Sequence, residues 1–344
     1  MTWDASARVV RVRALMAAAG RVREHEKLFA KEIATATNLS LAGVHLALTE
    51  HLEVEATDEE LARLVARAHP AEQVAVILSA SVFVGALRAL ALAIAASDSV
   101  IVRPSSREPY FTRALVHELG DTRVRIDEAL DVASLDRGEI HLYGRDETIA
   151  EVRERARVPV RGHGTGMGVA IVRGRDLEAA AAAVARDVVP FDQRGCLSPR
   201  VVLVEGGMDR ASAFGRALAA ELESWRARVP RGWLTPEEGA EAARYLGTLA
   251  FAGELFAGPD SAVGVADELT VPPVGRHVHV VPFARDDDAA AVLAPVARFV
   301  AAVGHDAPLS GLASLTARAR RSTLGDMQRP RLDGPVDLRD VVDS

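Results

Sequence analysis

Between residues 73 and 156 the chain alternates short apolar runs with stretches of helical period, and this alternation limits the fold more than any other feature. Gln73-Val74-Ala75-Val76-Ile77-Leu78 reads as a buried strand. Small residues (Ser79-Ala80-Ser81) follow, then an Ala- and Leu-rich helix to about Ala96. Ser99 to Arg103 is a second buried strand, closed by the polar loop Pro104 to Pro109 and a helix to Leu119. Val124-Arg125-Ile126 and Glu139 to Tyr143 are two more strands, and Gly144 to Thr148 opens a helix to Ala156. Strands separated by helices build a parallel α/β sheet. Ligands of such sheets sit beyond the strand C-termini, which here are Ser79 to Ser81, Arg103 to Arg107 and Gly144 to Thr148. No G-x-G-x-x-G is present, so the common dinucleotide fingerprint does not apply.

The first 70 residues read as all-helical. Residues 5 to about 38 are rich in helix formers, Ser40 stands as a cap for the next helix, and Thr57 and Glu60 are spaced as a capping box ahead of residues 59 to 69. The expectation is a helical packing layer beside the sheet. A chain of 344 residues is long enough for two domains. Its net charge of −7 argues against a general nucleic-acid binder. A single cysteine excludes an intramolecular disulfide and a Cys-based zinc site. The start, Met1-Thr2-Trp3-Asp4, lacks the basic residues and apolar run of a signal peptide. The most apolar stretch, Val74 to Val102, is interrupted by Ser79, Ser81, Gly85, Arg88, Ser97 and Asp98 and does not read as a membrane span. A soluble, cytoplasmic protein is the resulting expectation.

The cysteine, Cys196, lies in Phe191-Asp192-Gln193-Arg194-Gly195-Cys196-Leu197-Ser198-Pro199-Arg200, between a helical run (Asp176 to Asp187) and a β-branched run (Val201 to Val204). Such a boundary can present a nucleophile beside backbone N–H groups that face a developing oxyanion, although free cysteines are more often buried and inert. Upstream, Val158 to Val172 carries glycines at 162, 164, 166 and 168 and reads as a close-approach loop entering a strand. Downstream, Val201 to Glu205 is a strand, 210–228 a helix, and 235–256 a helix capped by Thr235. Arg276 to Phe283 alternates as a strand with His277 and His279 on one half-exposed face. Two histidines without a third ligand of suitable spacing do not make a metal site. Asp286-Asp287-Asp288 is a helix N-terminus, 289–303 a helix, and 329–344 an extended tail.

The order strand, small-residue loop, Ala-rich helix, strand, basic residue and Ser/Pro loop is similar to the cofactor half of the aldehyde dehydrogenase superfamily. Cys196 follows the glycine stretch at a separation like that family's. The Cys-Leu-Ser-Pro-Arg ending, together with Arg318 to Pro330 and its string x-Leu-Gly-x-Met-Gln-x-Pro, most resembles the acyl-CoA reductase branch, which includes the fatty acid reductase of bacterial bioluminescence. The resemblance spans about residues 60 to 335. It implies an aldehyde-dehydrogenase-like α/β fold with two parallel-sheet domains and the helical N-terminal layer. The divisions are 1–160 for the layer and dinucleotide-binding domain, 161–310 for the catalytic domain, and 311–344 for a segment returning to the cofactor domain.

The resemblance also implies roles. Cys196 would be the nucleophile, His163 a polarising group or base, and Ser81, beside Ala80 where the family's oxyanion Asn would fall, a replacement donor. Arg103, Ser106, Arg107, Tyr143, Gly144 and Arg145 would bind cofactor. Ser106 beside Arg107, where NAD-preferring members carry Glu, would accept a 2′-phosphate, which favours NADPH, with NADH the alternative. The family's water-activating Glu is missing, since no Glu occurs between Glu154 and Glu178. A thioester on Cys196 would then hydrolyse slowly, as suits an enzyme that exchanges acyl groups with coenzyme A or an acyl carrier. The expected partner is that acyl substrate, with no nucleic acid, no membrane span and a homo-oligomer allowed. A reductase of another activated acyl group, a semialdehyde dehydrogenase and a non-catalytic cofactor-binding or scaffold member remain open at this point.

Overall fold

The computed structural model describes residues 4–312 and 316–339. Four helices come first: α1 (Ala5–Glu24), α2 (Ala30–Thr37), α3 (Leu41–Glu50) and α4 (Asp58–Arg67). The predicted caps are in place. Ser40 Oγ accepts the Gly43 N–H, and Thr57 and Glu60 form a reciprocal capping box. The first sheet follows: β1 (Val74–Ile77), α5 (Gly85–Ala96), β2 (Val100–Arg103), α6 (Tyr110–Leu119), β3 (Val124–Ile126), β4 (Glu139–Tyr143), α7 (Asp146–Arg155) and β5 (Val160–His163). All five strands are parallel, in the order β3-β2-β1-β4-β5. The chain reverses its direction of winding between β1 and β4, and that is where a crevice opens beyond the strand ends.

Gly164 to Gly166 then carry the chain into a second sheet. Its elements are β6 (Met167–Val172), α8 (Leu177–Val188), β7 (Pro199–Glu205), α9 (Met208–Arg228), α10 (Pro236–Ala252), β8 (Glu254–Ala257), β9 (Ala262–Val265), β10 (His277–Phe283), α11 (Asp286–Leu293), β11 (Val300–His305) and β12 (Arg320–Thr323). The order is β12-β11-β6-β7-β10-β9-β8, parallel apart from the β8–β9 pair. Both sheets are covered on two faces, which is why their strands are runs of Val, Ile and Ala rather than alternating patterns. Leu15, Leu61, Leu64, Phe83, Leu87, Leu90 and Ile94 fill one core between the N-terminal helices and the first sheet. Val184, Val188, Phe214 and Leu218 fill another between α8, α9 and the second sheet. Each such apolar side chain contributes about 1.5–3 kcal/mol when fully buried.

Several local expectations are corrected. The helix expected over 235–256 stops at Ala252, and Glu254 to Ala257 form β8. Gly253 allows this, because a Cβ there would lie 2.2 Å from the Val265 carbonyl oxygen, so only glycine brings the chain close enough to pair with β9. The helix expected over 289–303 ends at Leu293, tightens into a 3-10 turn over Ala294–Phe299 and becomes β11. Here the slot between β6 and β12 overrides helical propensity. Arg161, Gly162 and His163 lie on β5 rather than in a loop. His277 and His279 are not half-exposed but 3% and 0% exposed. Their ring nitrogens engage the Val274 carbonyl, and the Glu268 carbonyl and Tyr245 hydroxyl, respectively. The tail over 329–339 has no regular element, and residues 1–3, 313–315 and 340–344 of the expected divisions lie outside the described residues. Among the described residues no helix is long and apolar enough to cross a membrane, and no group of three or more His, Cys, Asp or Glu is placed to hold a metal.

Candidate active site

A cavity of about 350 Å3 runs from the crevice between β1 and β4 to the turn that carries Cys196. Ser79 and Ser81 after β1, Tyr143, Gly144 and Arg145 after β4, and His163 to Gly166 line one side. Phe191, Arg194, Gly195, Cys196, Leu197 and Arg200 line the other. Ser81, Tyr143, Gly144, Arg145, His163 and Cys196, all expected from the sequence to serve the site, thus share one cavity. Ala80 is buried outside its lining, while Ser79 and Ser81 face it.

The turn before Cys196 is strained and tightly held. Phe191, Asp192 and Gln193 all adopt left-handed backbone angles, with φ of 56°, 50° and 65°, each costing about 1–2 kcal/mol for a residue with a side chain. Buried polar bonds fix them. Asp192 Oδ1 pairs with Arg276 at 2.8 and 3.0 Å, and its Oδ2 accepts the Gly232 N–H at 2.9 Å. Gln193 donates to the carbonyls of Pro199 and His277 and accepts the His277 N–H. Phe191 packs edge-on against Phe83, at a centroid distance of 6.4 Å, which ties the turn to the first sheet. Gly168 lets β6 pass beside the turn, since a Cβ there would lie 2.4 Å from the Leu197 carbonyl oxygen and 2.8 Å from Met327 Cε. Gly168→Ala is expected to cost about 1–3 kcal/mol by overpacking and to displace Cys196. Urea unfolding and the rate of thiol alkylation check the two effects.

Burial pushes the Cys196 thiol up to about 11. The Asp337 carboxylate pushes in the same direction, and Arg339 and the residue's own N–H oppose it. His163 stacks on Tyr143 with ring centroids 4.6 Å apart and planes 15° apart. Burial pushes its imidazole down to about 4, so it is neutral near pH 7 and a weak base. Burial also raises the Tyr143 phenol. The Tyr143 hydroxyl, His51 Nδ1 and Arg200 Nε have no hydrogen-bond partner, and all three residues line the cavity. Buried polar atoms without partners are costly unless a ligand engages them.

The C-terminal string docks onto this turn. Gln328 donates to Ser198 Oγ at 3.0 Å and to the Asp187 carbonyl at 2.9 Å. The Asp187 carboxylate accepts the N–H groups of Gly325 and Met327 at 2.6 and 2.9 Å. Met327 and Val336 pack against Leu197 and Cys196. Burial raises Asp187 from the usual carboxyl range to about 7. The folded state therefore holds this proton to higher pH than the unfolded chain does. The cost of ionising it is absent below about pH 4, grows as pH rises, and is complete above about 7. Asp187→Asn keeps only one of the two acceptors. Its stability deficit relative to the parent is expected to be larger at pH 5 than at pH 8, as read from urea melts at the two values.

The remaining expected cofactor residues lie apart from the cavity. Arg103 ends β2 and donates to the Leu130 carbonyl at 3.4 Å. Ser106 and Arg107 are exposed, and Arg107 borders a surface depression with Lys31, Thr35 and Tyr110. Asp337, Arg339, Arg276, His51 and Arg88 reach the site without any signal in their local sequence. Arg88 holds Glu53 and the carbonyls of Pro330, Arg331 and Gly334, which fixes the C-terminal segment on α5.

A family model described as acyl-CoA reductase (LuxC) matches residues 56–342. The chain belongs to the LuxC acyl-CoA reductase family. Its fold is that of aldehyde dehydrogenases. An oxidoreductase from Marinobacter aquaeolei superposes with a TM-score of 0.76 at 14% identity, over 96% of this chain and 80% of that one. A putative aldehyde dehydrogenase from Burkholderia cenocepacia gives 0.72 at 16%, over 93% and 77%. A Mycobacterium tuberculosis aldehyde dehydrogenase complexed with NAD+ gives 0.66 at 17%, over 94% and 78%. At these identities the structures speak for the fold alone. No curated protein matches the chain. Family and fold together make it an oxidoreductase of aldehydes or acyl groups.

Proposed function

We propose that the protein reduces an acyl thioester, carried by coenzyme A or an acyl carrier, to the aldehyde through a thioester on Cys196, with NADPH as reductant, in the cytoplasm. The observation that carries this reading is the place of Cys196, on a strained and tightly held turn, in one cavity with the loops that follow β1 and β4. The orphaned Tyr143 hydroxyl and the crevice at the winding reversal fit a nicotinamide cofactor. Tyr143, Gly144 and Arg145 would hold its inner half. Arg103, Ser106 and Arg107, beyond β2, would hold the adenosine end, where a basic pair suits a 2′-phosphate. When bound, the cofactor supplies the hydride that takes the acyl group to the aldehyde level.

The chain's own residues do the rest. The Cys196 thiolate attacks the thioester carbonyl, and the carrier thiol leaves. Ser81 and the backbone N–H groups around Cys196 face the oxygen that gains charge. The described part of the cavity lining contains two carboxylates, Glu53 and Asp337, and they are paired with Arg88 and Arg339. Both are therefore poorly placed to activate water, and the acyl group stays on sulfur long enough to be reduced. The test is aldehyde formation from acyl-CoA by purified protein with NADPH and, separately, NADH. Turnover that persists in Cys196→Ala would overturn the mechanism. Faster turnover with NADH would overturn the cofactor preference alone.

A further inference from the structure

The last described residues place two opposite charges at the candidate nucleophile. Val336 packs in the apolar cluster that includes Cys196, Leu197 and Met327, and Asp337 lines the cavity. Asp337 and Arg339 are joined side by side. Asp337 Oδ1 accepts from Arg339 Nε at 2.8 Å, and its Oδ2 from Nη2 at 2.6 Å. The guanidinium is fixed from the other side as well, since Nη1 donates to the carbonyls of Thr165 (2.8 Å) and Arg298 (3.0 Å). That anchoring holds it close to the wall that carries the nucleophile. The point where a Gly166 Cβ would stand is 2.9 Å from Arg339 Nη2 and 3.1 Å from Cys196 Cβ. A side chain at 166 would meet both the guanidinium and the Cys196 side chain, so glycine there is what lets the two stand this near each other.

The other groups around the thiol are poorly suited to set its ionisation. His163, from β5, and Tyr143, from β4, are neutral near pH 7. Arg194, on the nucleophile's own turn, is taken up by Glu238 and Asp192. Arg200 faces Glu238 and Glu241. At the start of α7, Arg145 stands beside Asp146, whose carboxylate accepts the Thr165 N–H. His51 and Glu53, just after α3, and Arg88, on α5, also border the cavity, with Arg88 and Glu53 paired to each other. The C-terminal pair is tied to Cys196 through Val336 in its apolar cluster and Asp337 in the cavity lining.

We propose that Asp337 and Arg339 set the ionisation of Cys196, with Arg339 as the counter-charge of the thiolate and Asp337 as the opposing charge that holds the sulfur protonated while the segment lies as it does here. An incoming ligand that displaces Asp337 from the cavity leaves Arg339 facing the sulfur, and the thiol proton then passes to water. The proposal rests on Cys196 being the reactive group of the proposed function, but it concerns only the state of its thiol.

The chain has one cysteine, so alkylation by iodoacetamide reads this thiol directly in the whole protein, without substrate or cofactor. Rates are measured from pH 7 to 11. Asp337→Asn is expected to shift the profile to lower pH by about one unit, about a tenfold faster reaction at pH 8. Arg339→Met is expected to shift it the other way, and Arg339→Lys to keep it near the parent. The opposite signs are decisive. Both Asp337→Asn and Arg339→Met break the same ion pair, so a segment that merely covers the cavity would give faster alkylation in both. Shifts of the same sign in Asp337→Asn and Arg339→Met, or no shift in Asp337→Asn, overturn the proposal. Aldehyde formation plays no part in this readout, so failure of the proposed reaction is a separate outcome.

Discussion

Arg276→Met is expected to destabilise the protein by about 3–5 kcal/mol, the cost of leaving one partner of a buried ion pair without the other. Arg276 is 1% exposed and Asp192 2% exposed. The guanidinium also donates to the Val229 carbonyl at 2.7 Å, so its loss leaves a buried carboxylate and a carbonyl short of donors. Asp192 is one of three consecutive left-handed residues before Cys196, and without Arg276 its Oδ1 loses both short bonds while Oδ2 keeps the Gly232 N–H and a longer contact to Arg194, so the strain is less firmly opposed. The double substitution Asp192→Asn with Arg276→Met removes the stranded charge and is expected to recover part of the loss. Urea unfolding of the single and double variants checks both statements. A single-variant cost below about 1 kcal/mol would mean that the pair is compensated elsewhere.

The second large effect concerns Cys196. Cys196→Ala is expected to lower aldehyde formation at least about a thousandfold, because removing a covalent nucleophile abolishes the two-step route. The same residue allows a test without reductant. Incubation with acyl-CoA alone is expected to leave the acyl group on the protein, visible as added mass in the parent and absent in Cys196→Ala. An adduct that hydrolyses within one turnover time would show that a water-activating group reaches the site after all. The neutral His163, with its imidazole pushed down to about 4, is a poor candidate for that task near pH 7.

Legibility in the sequence follows the range of the interaction. Strands β1, β2, β3 and β4 and the caps at Ser40 and Thr57 were readable because their signals lie within a few residues. Strands β8 and β11 were not. Leu255 and Phe256 pair because β9 offers an open edge, and Val300 to His305 extend because β6 and β12 leave a slot. His277 and His279 looked half-exposed because alternation does not say whether a second layer covers a face. Here α10 supplies Tyr245 against them. The string from Leu324 to Pro330 carried a recognisable pattern but not its task, which is to brace α8 and the Cys196 turn through Gln328 and the Asp187 carboxylate.

By itself the sequence determined the parallel α/β plan, the helical layer before it, the single thiol at an element boundary and the missing glutamate upstream of it. Hydrophobic period, capping and turn chemistry are local, and they act before any distant residue arrives. Tertiary structure alone decided what surrounds Cys196. Arg276 reaches the preceding turn from 84 residues away along the chain, and Asp337 and Arg339 reach the thiol from the far end of the described chain. The state of a half-buried sulfur depends on desolvation and on nearby charges, and only folding sets those distances.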